Sequence, residues 1–304
     1  MSPRRALILL LALAALWGAS YYFIKVGLRD LSPAAIVFAR TALAALVLIP
    51  AAIRGGGLGA VLRRPGAIAL LALIQVAGPF MLISAGERHI PSSLAGILVA
   101  SMPILTALLA PWLDRREVLT ARGLLGIAVG IAGVALLFGV DVTGSAAAVA
   151  GGLMVLLASL GYALGAFALK RWFRGTQPLP LVAGTMAASA LMTLPFAAAS
   201  APSHVGAGPL AAMAALGVGG TGIAFVIYYG LNHAIGPTRT SLVAYIAPVF
   251  SVVYGVTLLD ESFGIATAIG IVLIVSGSWL AARAPAPRTG AAVDAPAAEE
   301  AVRA

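Results

Sequence analysis

The chain has 304 residues, of which 61% are hydrophobic and 10% are charged, and its mean hydropathy is +1.05. A soluble domain carries about 25% charged residues, so this composition excludes a water-soluble protein and indicates a polytopic membrane protein. The net charge of +9 does not indicate nucleic-acid binding, because the basic residues lie in short loops between apolar runs. Cysteine is absent, which excludes disulfides and thiolate metal sites.

Ten apolar runs follow one another along the chain, each about 20 residues long, the length that crosses a bilayer. They predict transmembrane helices rather than barrel strands, because strands would alternate apolar and polar residues. Arg4 and Arg5 before the first run would also suit a cleaved signal peptide. The same element recurs uncleaved around Leu153–Lys170, which favours a mature helix. The predicted spans are Ala6–Ile24, Ala34–Ile53, Gly66–Ala85, Ser92–Trp112, Ala121–Val140, Val149–Leu169, Leu179–Ala199, Pro209–Tyr229, Thr238–Leu259 and Gly264–Ala282.

One pattern occurs twice in the chain. A shift of 145 residues places Pro103 on Pro248. A shift of 144 residues places Glu117 on Glu261. The sequence therefore predicts two repeats of five spans each. The predicted domains are a first repeat at 1–140, a second repeat at 141–283 and a disordered cytoplasmic tail at 284–304.

The basic residues of the loops are unequally divided between the two sides of the membrane. With a cytoplasmic N-terminus, 15 lie inside and three lie outside, namely Lys25, Arg29 and Arg88. This asymmetry predicts cytoplasmic termini and a multi-pass protein of the cell (inner) membrane. Because five spans is an odd number, the second repeat would be inverted relative to the first. We therefore expect an all-α membrane protein with two inverted five-helix repeats around a central cavity, as in many secondary transporters.

The titratable residues do not predict an enzyme. No histidine has a partner at metal-ligand spacing, and every acidic residue lies at a span end or in the tail. We therefore expect no catalytic residue, no bound metal and no cofactor. The lack of a mid-membrane carboxylate also argues against drug–proton antiport. The one candidate for such a role is Glu87, at a helix end.

Two prolines fall near the centres of the fourth and ninth spans, Pro103 and Pro248. Each removes the helical donor of the carbonyl four residues earlier. In lipid such a carbonyl must be satisfied by protein or water, so both bends should face the bundle interior. The matched pair predicts symmetric hinges beside a midplane cavity, and the alternative is an ordinary proline kink.

Polar and aromatic side chains within the spans are the candidate solute contacts. Gln75 lies near the middle of the third span, where an interfacial aromatic belt offers no explanation for it. Arg40 lies in the outer part of the second span, where it would either snorkel to the headgroups or bind a carboxylate at the outer mouth. The predicted substrate-binding residues are Trp17, Ser20, Arg40, Gln75, Tyr162, Thr221 and Tyr245.

Small residues recur along the fifth and tenth spans. Gly126, Gly130 and Gly133 mark the fifth span, and Gly270 and Gly277 mark the tenth. Such ridges allow close approach of helix backbones. The sequence leaves open whether this packing occurs within the fold or between protomers of a homodimer.

These motifs together resemble the EamA-type branch of the drug/metabolite transporter superfamily. The resemblance rests on the stretch Trp17–Tyr21, on Pro33 with Arg40, and on the duplicated Pro103 to Gly133 pattern, and it extends over Ala6–Ala282. It implies a cell-membrane carrier that works by alternating access, with peripheral fifth and tenth helices. Relatives export amino acids or other metabolites. Short four-helix multidrug relatives use a first-helix glutamate, which this chain lacks in its first and sixth spans.

The sequence therefore predicts a transporter of small metabolites, such as amino acids or similar organic solutes. Export is the favoured direction, and import is the alternative that the sequence leaves open. Its expected partners are a small-molecule solute and the lipid bilayer, and no nucleic acid is expected. The alternatives are a lipid scramblase and a membrane assembly factor with no transport role.

Overall fold

A computed structural model of the chain describes residues 1–113, 120–140 and 145–282. Over these residues the protein is helical and contains no strand. Nine of the helices in this part are long and apolar enough to cross a membrane. They correspond to predicted spans one to eight and ten: Pro3–Gly27, Pro33–Gly55, Pro65–Gly86, Ser92–Leu113, Ala121–Gly139, Ala146–Trp172, Pro178–Ala199, Ala207–Ile235 and Ile265–Ala282.

The predicted ninth span, Thr238–Leu259, is not one helix. Gly236 has a φ of 83° and ends the eighth span, because glycine enters this region without steric cost. A short helix, Pro237–Thr240, and a turn then precede a helix of 17 residues, Val243–Leu259. The prediction of one continuous helix here was wrong, because the predicted span included the polar run 238–241, which precedes the apolar helix.

Proline and serine fix where several spans begin. Proline occupies the first turn of the first, second, third and seventh spans, where its missing N–H costs no hydrogen bond. The hydroxyl groups of Ser2, Ser32 and Ser145 accept hydrogen bonds from first-turn N–H groups. These caps extend several helices a few residues beyond the predicted apolar runs.

The fifth and tenth spans pack against each other through glycine. A Cβ atom added at Gly277 would lie 2.5 Å from the Gly130 nitrogen and 2.6 Å from the Gly126 oxygen. The backbones therefore touch, and packing within the fold is confirmed for these ridges. The first span packs on the ninth, the second on the seventh and the third on the sixth.

Pro103 and Pro248 do not mark equivalent bends. The fourth span is interrupted at Ala100 and Ser101, just before Pro103. The Ala100 carbonyl accepts a hydrogen bond of 2.7 Å from the Ser278 hydroxyl, so protein satisfies a carbonyl at this break. Pro248 instead lies within the helix Val243–Leu259. The predicted symmetry of the bends is therefore absent, and a hinge role for either proline stays a prediction.

Two π-helical segments interrupt the third and eighth spans, Leu73–Ala77 and Ala215–Ile223. A shift of 145 residues carries the first segment into the second. Wide helical turns of this kind are frequent at functional sites.

The connections between spans gather at two ends of the bundle. At the first, Asp30 Oδ2 accepts a hydrogen bond of 2.8 Å from the Gly206 N–H, and the hydroxyl oxygens of Ser32 and Ser200 are 2.6 Å apart. At the other, Arg64 Nη1 donates to the Trp172 carbonyl at 2.9 Å. We name these the Asp30 end and the Arg64 end. The connections of the Asp30 end are 28–32, 87–91, 200–206 and 260–264.

Candidate solute-binding cavity

A cavity of about 1290 Å³ lies between the spans. Its wall includes Lys170, Arg174 and Thr176, at and beyond the end of the sixth span, so the cavity reaches the Arg64 end. Toward the Asp30 end its wall stops at Ile24 and Ile83. Among the described residues, none from the four connections of the Asp30 end lines it. The cavity is therefore open at one end and closed at the other.

Arg40 is buried at the wall of this cavity, with 7% of its surface exposed. Its Nε donates a hydrogen bond of 2.8 Å to Thr221 Oγ1. Its guanidinium carbon lies 3.7 Å from the centre of the Phe80 ring, a cation–π contact. Snorkelling to the headgroups is therefore wrong for Arg40, because the side chain is held inside the bundle. Its two terminal nitrogen atoms donate no hydrogen bond within the described chain.

Thr221 lies behind the wall rather than on it. Its side chain is fully buried, and its hydroxyl donates to the Leu216 carbonyl at 2.9 Å, within the π-helical segment. The same oxygen accepts the hydrogen bond from Arg40. Thr221 thus orients Arg40, and the structure gives it no direct exposure to the cavity.

Aromatic side chains form one wall, which we name the aromatic wall: Trp17, Phe225, Tyr228 and Tyr229. Trp17 lies 5.4 Å from Tyr228 and 6.1 Å from Phe225 between ring centres. Phe225 stacks on Tyr229 at 6.1 Å. All four line the cavity, so an interfacial belt does not account for them. The sequence analysis missed Phe80 and Phe225, since a phenylalanine in an apolar run carries no distinguishing signal.

The remaining predicted residues also reach the cavity. Gln75 lies in the π-helical segment of the third span, and a Cβ added at Gly165 would be 2.7 Å from the Gln75 Cβ. The Tyr245 hydroxyl lies 3.5 Å from the Ser278 carbonyl. Direct contact with a solute stays a prediction for each of them. These predicted residues on the wall are Ser20, Gln75, Tyr162, Tyr245, Pro103 and Pro248.

Charged side chains hold the Asp30 end together. The Glu261 carboxylate accepts hydrogen bonds from the N–H groups of Ser92 and Ser93, at 2.6 and 2.9 Å, and so caps the fourth span. Lys25 Nζ donates to the main-chain oxygens of Glu87 and Ile90, at 2.5 and 2.9 Å. The sequence indicated Glu261 as a member of the repeat and Lys25 as a basic residue of the outer side, but it did not indicate these contacts. Glu117, the counterpart of Glu261, lies outside the described residues.

Glu87 follows the third span directly, and its side chain is completely buried. Neither carboxylate oxygen has a hydrogen-bond partner within the described chain. Burial raises the pKa of the Glu87 carboxyl well above its usual range, and the nearby Lys25 ammonium acts in the opposite direction.

Apolar spans around a partly polar cavity define a multi-pass membrane protein of the transporter class. The sequence model of the EamA-like transporter family matches residues 4–139 and 149–283. The chain belongs to this family.

Two similar proteins are also named as transporters. The uncharacterized inner membrane transporter YedA of Escherichia coli (strain K12) is 28% identical over 262 residues, which cover 83% of this chain and 82% of that protein. An uncharacterized transporter of Archaeoglobus fulgidus is 27% identical over 288 residues, covering 90% of this chain and 96% of that protein. A solved crystal structure with 24% identity gives a TM-score of 0.66 and covers 92% of this chain and 97% of its own. That likeness bears on the fold alone.

Proposed function

We propose that the protein exports small organic solutes that carry a carboxylate, amino acids among them, across the cell membrane by alternating access. The observation that carries this proposal is Arg40, a buried cation at the wall of a large cavity. Thr221 supplies the Arg40 Nε with an acceptor, and within the described residues neither terminal nitrogen has one.

The energetics of Arg40 favour an anionic ligand. An ionised group within a membrane protein is costly unless it is paired. A solute carboxylate could accept two parallel hydrogen bonds from the free side of the guanidinium, the strongest pairing available to arginine. The aromatic wall would then contact the organic part of the solute. Pockets for small ligands measure about 300–1,000 Å³, so a cavity of about 1290 Å³ has room for such a solute with water.

An inverted repeat accounts for alternating access in this proposal, with 1–140 and 141–283 as the two units. Two close approaches support it. Gly165 of the sixth span meets Gln75 of the third, and Ser20 of the first span meets Gly220 of the eighth. A shift of 145 residues exchanges these two pairs. In addition, connection 28–32 lies at the Asp30 end, whereas its counterpart, 173–177, lies at the Arg64 end, as inversion requires.

We assign the Asp30 end to the outside of the cell and the Arg64 end to the cytoplasm. This assignment rests on the 15 basic residues of the cytoplasmic loops against three outside. The cavity would then face inward, ready to receive a solute for export. The proposed cytoplasmic tail, 284–304, lies outside the described residues.

Counterflow of amino acids in proteoliposomes tests the proposal. We expect purified protein to exchange labelled for unlabelled solute, with Arg40→Gln weakening solute affinity by about 10- to 100-fold. The expected weakening corresponds to the loss of hydrogen bonds to a charged group, about 1.5–3 kcal/mol. Arg40→Lys keeps the charge but loses the planar guanidinium group, so its affinity for the solute should lie between those of the wild type and Arg40→Gln.

Arg29→Gln is the matched control, because this arginine lies at the surface of the connection after the first span. It should leave affinity unchanged. Lipid redistribution without solute counterflow would identify a scramblase instead and would refute the transport proposal. Uptake into inside-out vesicles, compared with right-side-out vesicles, reports the direction.

A further inference from the structure

We propose that Glu87 is a proton-binding site that holds the Asp30 end closed. The Glu87 carboxyl carries a proton while this end is closed and releases it when the end opens and water enters. The inference rests on the proposed alternating access, but it concerns a residue that the solute cavity does not use.

The geometry of Glu87 suits a neutral acid. Its backbone N–H closes the third span by donating to the Ile83 carbonyl at 2.9 Å, so the side chain begins at a fixed point. Its carboxylate is buried and has no donor within the described chain. The hydroxyl oxygens of Ser84 and Ser92 are likewise buried and without partners there. An ionised carboxylate in such surroundings is strongly destabilising, whereas a protonated one is not.

The charged neighbours of Glu87 do not supply the missing donor. The groups that face it are Lys25 and Tyr21 of the first span, Arg40 of the second, and Glu261 after the ninth. Lys25 spends its hydrogen bonds on main-chain oxygens. Glu261 is a second negative charge, which opposes ionisation of Glu87.

The sixth span adds no titratable group where it packs against the end of the third. Its contacts with Gly86 there are made by Gly151 and Val155. Burial therefore outweighs the attraction of Lys25 and Arg40, and the raised pKa of Glu87 has this cause.

A proton fits this site better than a sodium ion. The Lys25 ammonium already occupies the main-chain oxygens of Glu87 and Ile90, which a metal ion would need as ligands. Its positive charge also repels a second cation. A proton forms a covalent O–H bond on Glu87 and needs no further ligand.

Closure and protonation are therefore coupled. The end at which Glu87 is buried also joins the two halves of the chain, because Glu261 accepts hydrogen bonds from the N–H groups of Ser92 and Ser93. Opening this end exposes Glu87 to water and returns its pKa toward the value for a free glutamate. Between the two pKa values the ratio of open to closed protein should rise about tenfold for each pH unit.

Infrared difference spectroscopy of the purified protein tests the protonation state directly. We expect the carbonyl band of a protonated carboxylic acid at pH 7 in the wild type and its loss in Glu87→Gln. The matched control is Asp260→Asn, which removes an exposed acid of the same end, and asparagine tolerates the φ of 55° found there. This control should keep the band. If Glu87→Gln does not fold, Glu87→Asp should keep the band at a shifted frequency.

Two results would overturn the proposal. One is a wild-type spectrum at pH 7 that lacks the band or that Glu87→Gln leaves unchanged. The other is loss of the band when sodium replaces choline at constant pH, which would make the site a sodium site.

A labelling experiment tests the coupling. The chain has no cysteine, so Ser93→Cys provides a unique target for an impermeant maleimide at the Asp30 end. The rate is divided by that of free cysteine at the same pH, because the thiolate is the reactive form and its fraction rises with pH. This corrected rate should rise by about tenfold per unit of external pH within the titration window. Adding Glu87→Gln should keep the corrected rate low at every pH, and an unchanged pH dependence of the corrected rate would refute the coupling. Neither readout needs a transported solute, so failure of the solute proposal would remain distinguishable.

Discussion

Thr221 shows how one hydroxyl group positions a charge. Its oxygen accepts a hydrogen bond from Arg40 Nε and donates one to the Leu216 carbonyl, five residues earlier. In a regular α-helix a threonine hydroxyl reaches the carbonyl three or four residues earlier, as Thr193 does. The bond from Thr221 to the fifth residue back reflects the wider turn of the π-helical segment, and it fixes the hydroxyl group that orients Arg40.

Replacing Thr221 by valine should weaken solute binding without removing it. The variant keeps the shape of the side chain and loses the acceptor of a charged donor, worth about 1.5–3 kcal/mol. We expect KM to rise by about tenfold or more while the maximal rate changes less. Thr193→Val is the control, because Thr193 is also buried but bonds only to carbonyls of its own helix. Equal effects of the two variants on KM would contradict a positioning role for Thr221.

The residues that the sequence could reveal are those that are unusual for a span. Arg40 and Gln75 were predictable because a charge or an amide within an apolar run requires an explanation. Phe80 was not predictable, since its role depends on the guanidinium that stacks on it. The burial of Glu87 was also hidden. Its position in the sequence is a span end, and only the packing of other spans removes it from water.

The sequence predicts the spans from local features, whereas a break that depends on contacts with another span is not predictable in this way. Apolar runs predict that a span exists, because the requirement for length and hydropathy is local. The break before Pro103 depends on a distant partner, the Ser278 hydroxyl, which satisfies the Ala100 carbonyl. The break before Val243, in contrast, follows the polar run 238–241, a local signal that the predicted span did not take into account. The glycine ridges of the fifth and tenth spans were predictable, because small residues at helical spacing indicate close helix packing.

The glycine contact between the fifth and tenth spans can be tested by one methyl group. A Cβ at Gly277 would meet the backbone atoms of Gly126 and Gly130, which cannot move independently of their helix. Gly277→Ala should therefore force the helices apart and lower stability by about 1–3 kcal/mol. Thermal unfolding in detergent measures the effect.

Gly230→Ala is the matched control for this change. Gly230 lies inside the helix Ala224–Ile235, and a Cβ there meets nothing within 4 Å. Alanine should stabilise this helix by up to about 1 kcal/mol, because glycine is a poor helix former. A melting temperature for Gly277→Ala equal to or above that of Gly230→Ala would show that the seam tolerates the extra atom.

The Asp30 end and the packed spans are held by different kinds of interaction. The Asp30 end is closed by polar contacts to its connections, including Asp30 with Gly206 and Lys25 of the first span with Ile90. Such contacts exchange readily for water, whereas the packed apolar cores of the spans do not. Opening of this end is therefore expected to break hydrogen bonds between connections while the helix pairs remain largely intact.

A reversible cross-link at the Asp30 end should stop transport. The hydroxyl oxygens of Ser32 and Ser200 lie 2.6 Å apart, on connections from different halves of the chain. In a Ser32→Cys/Ser200→Cys variant the two sulfurs would lie close enough to form a disulfide of about 2.05 Å, and the chain offers no other cysteine. Because the cross-link would keep the outer end closed, oxidation should abolish counterflow and a reductant should restore it.

Each single variant controls for loss of a hydroxyl group, including the cap that Ser32 provides to the Ala35 N–H. Each should transport equally well with and without oxidant. Full counterflow through the fully cross-linked protein would mean that solute does not leave by this end, and alternating access through the Asp30 connections would be wrong.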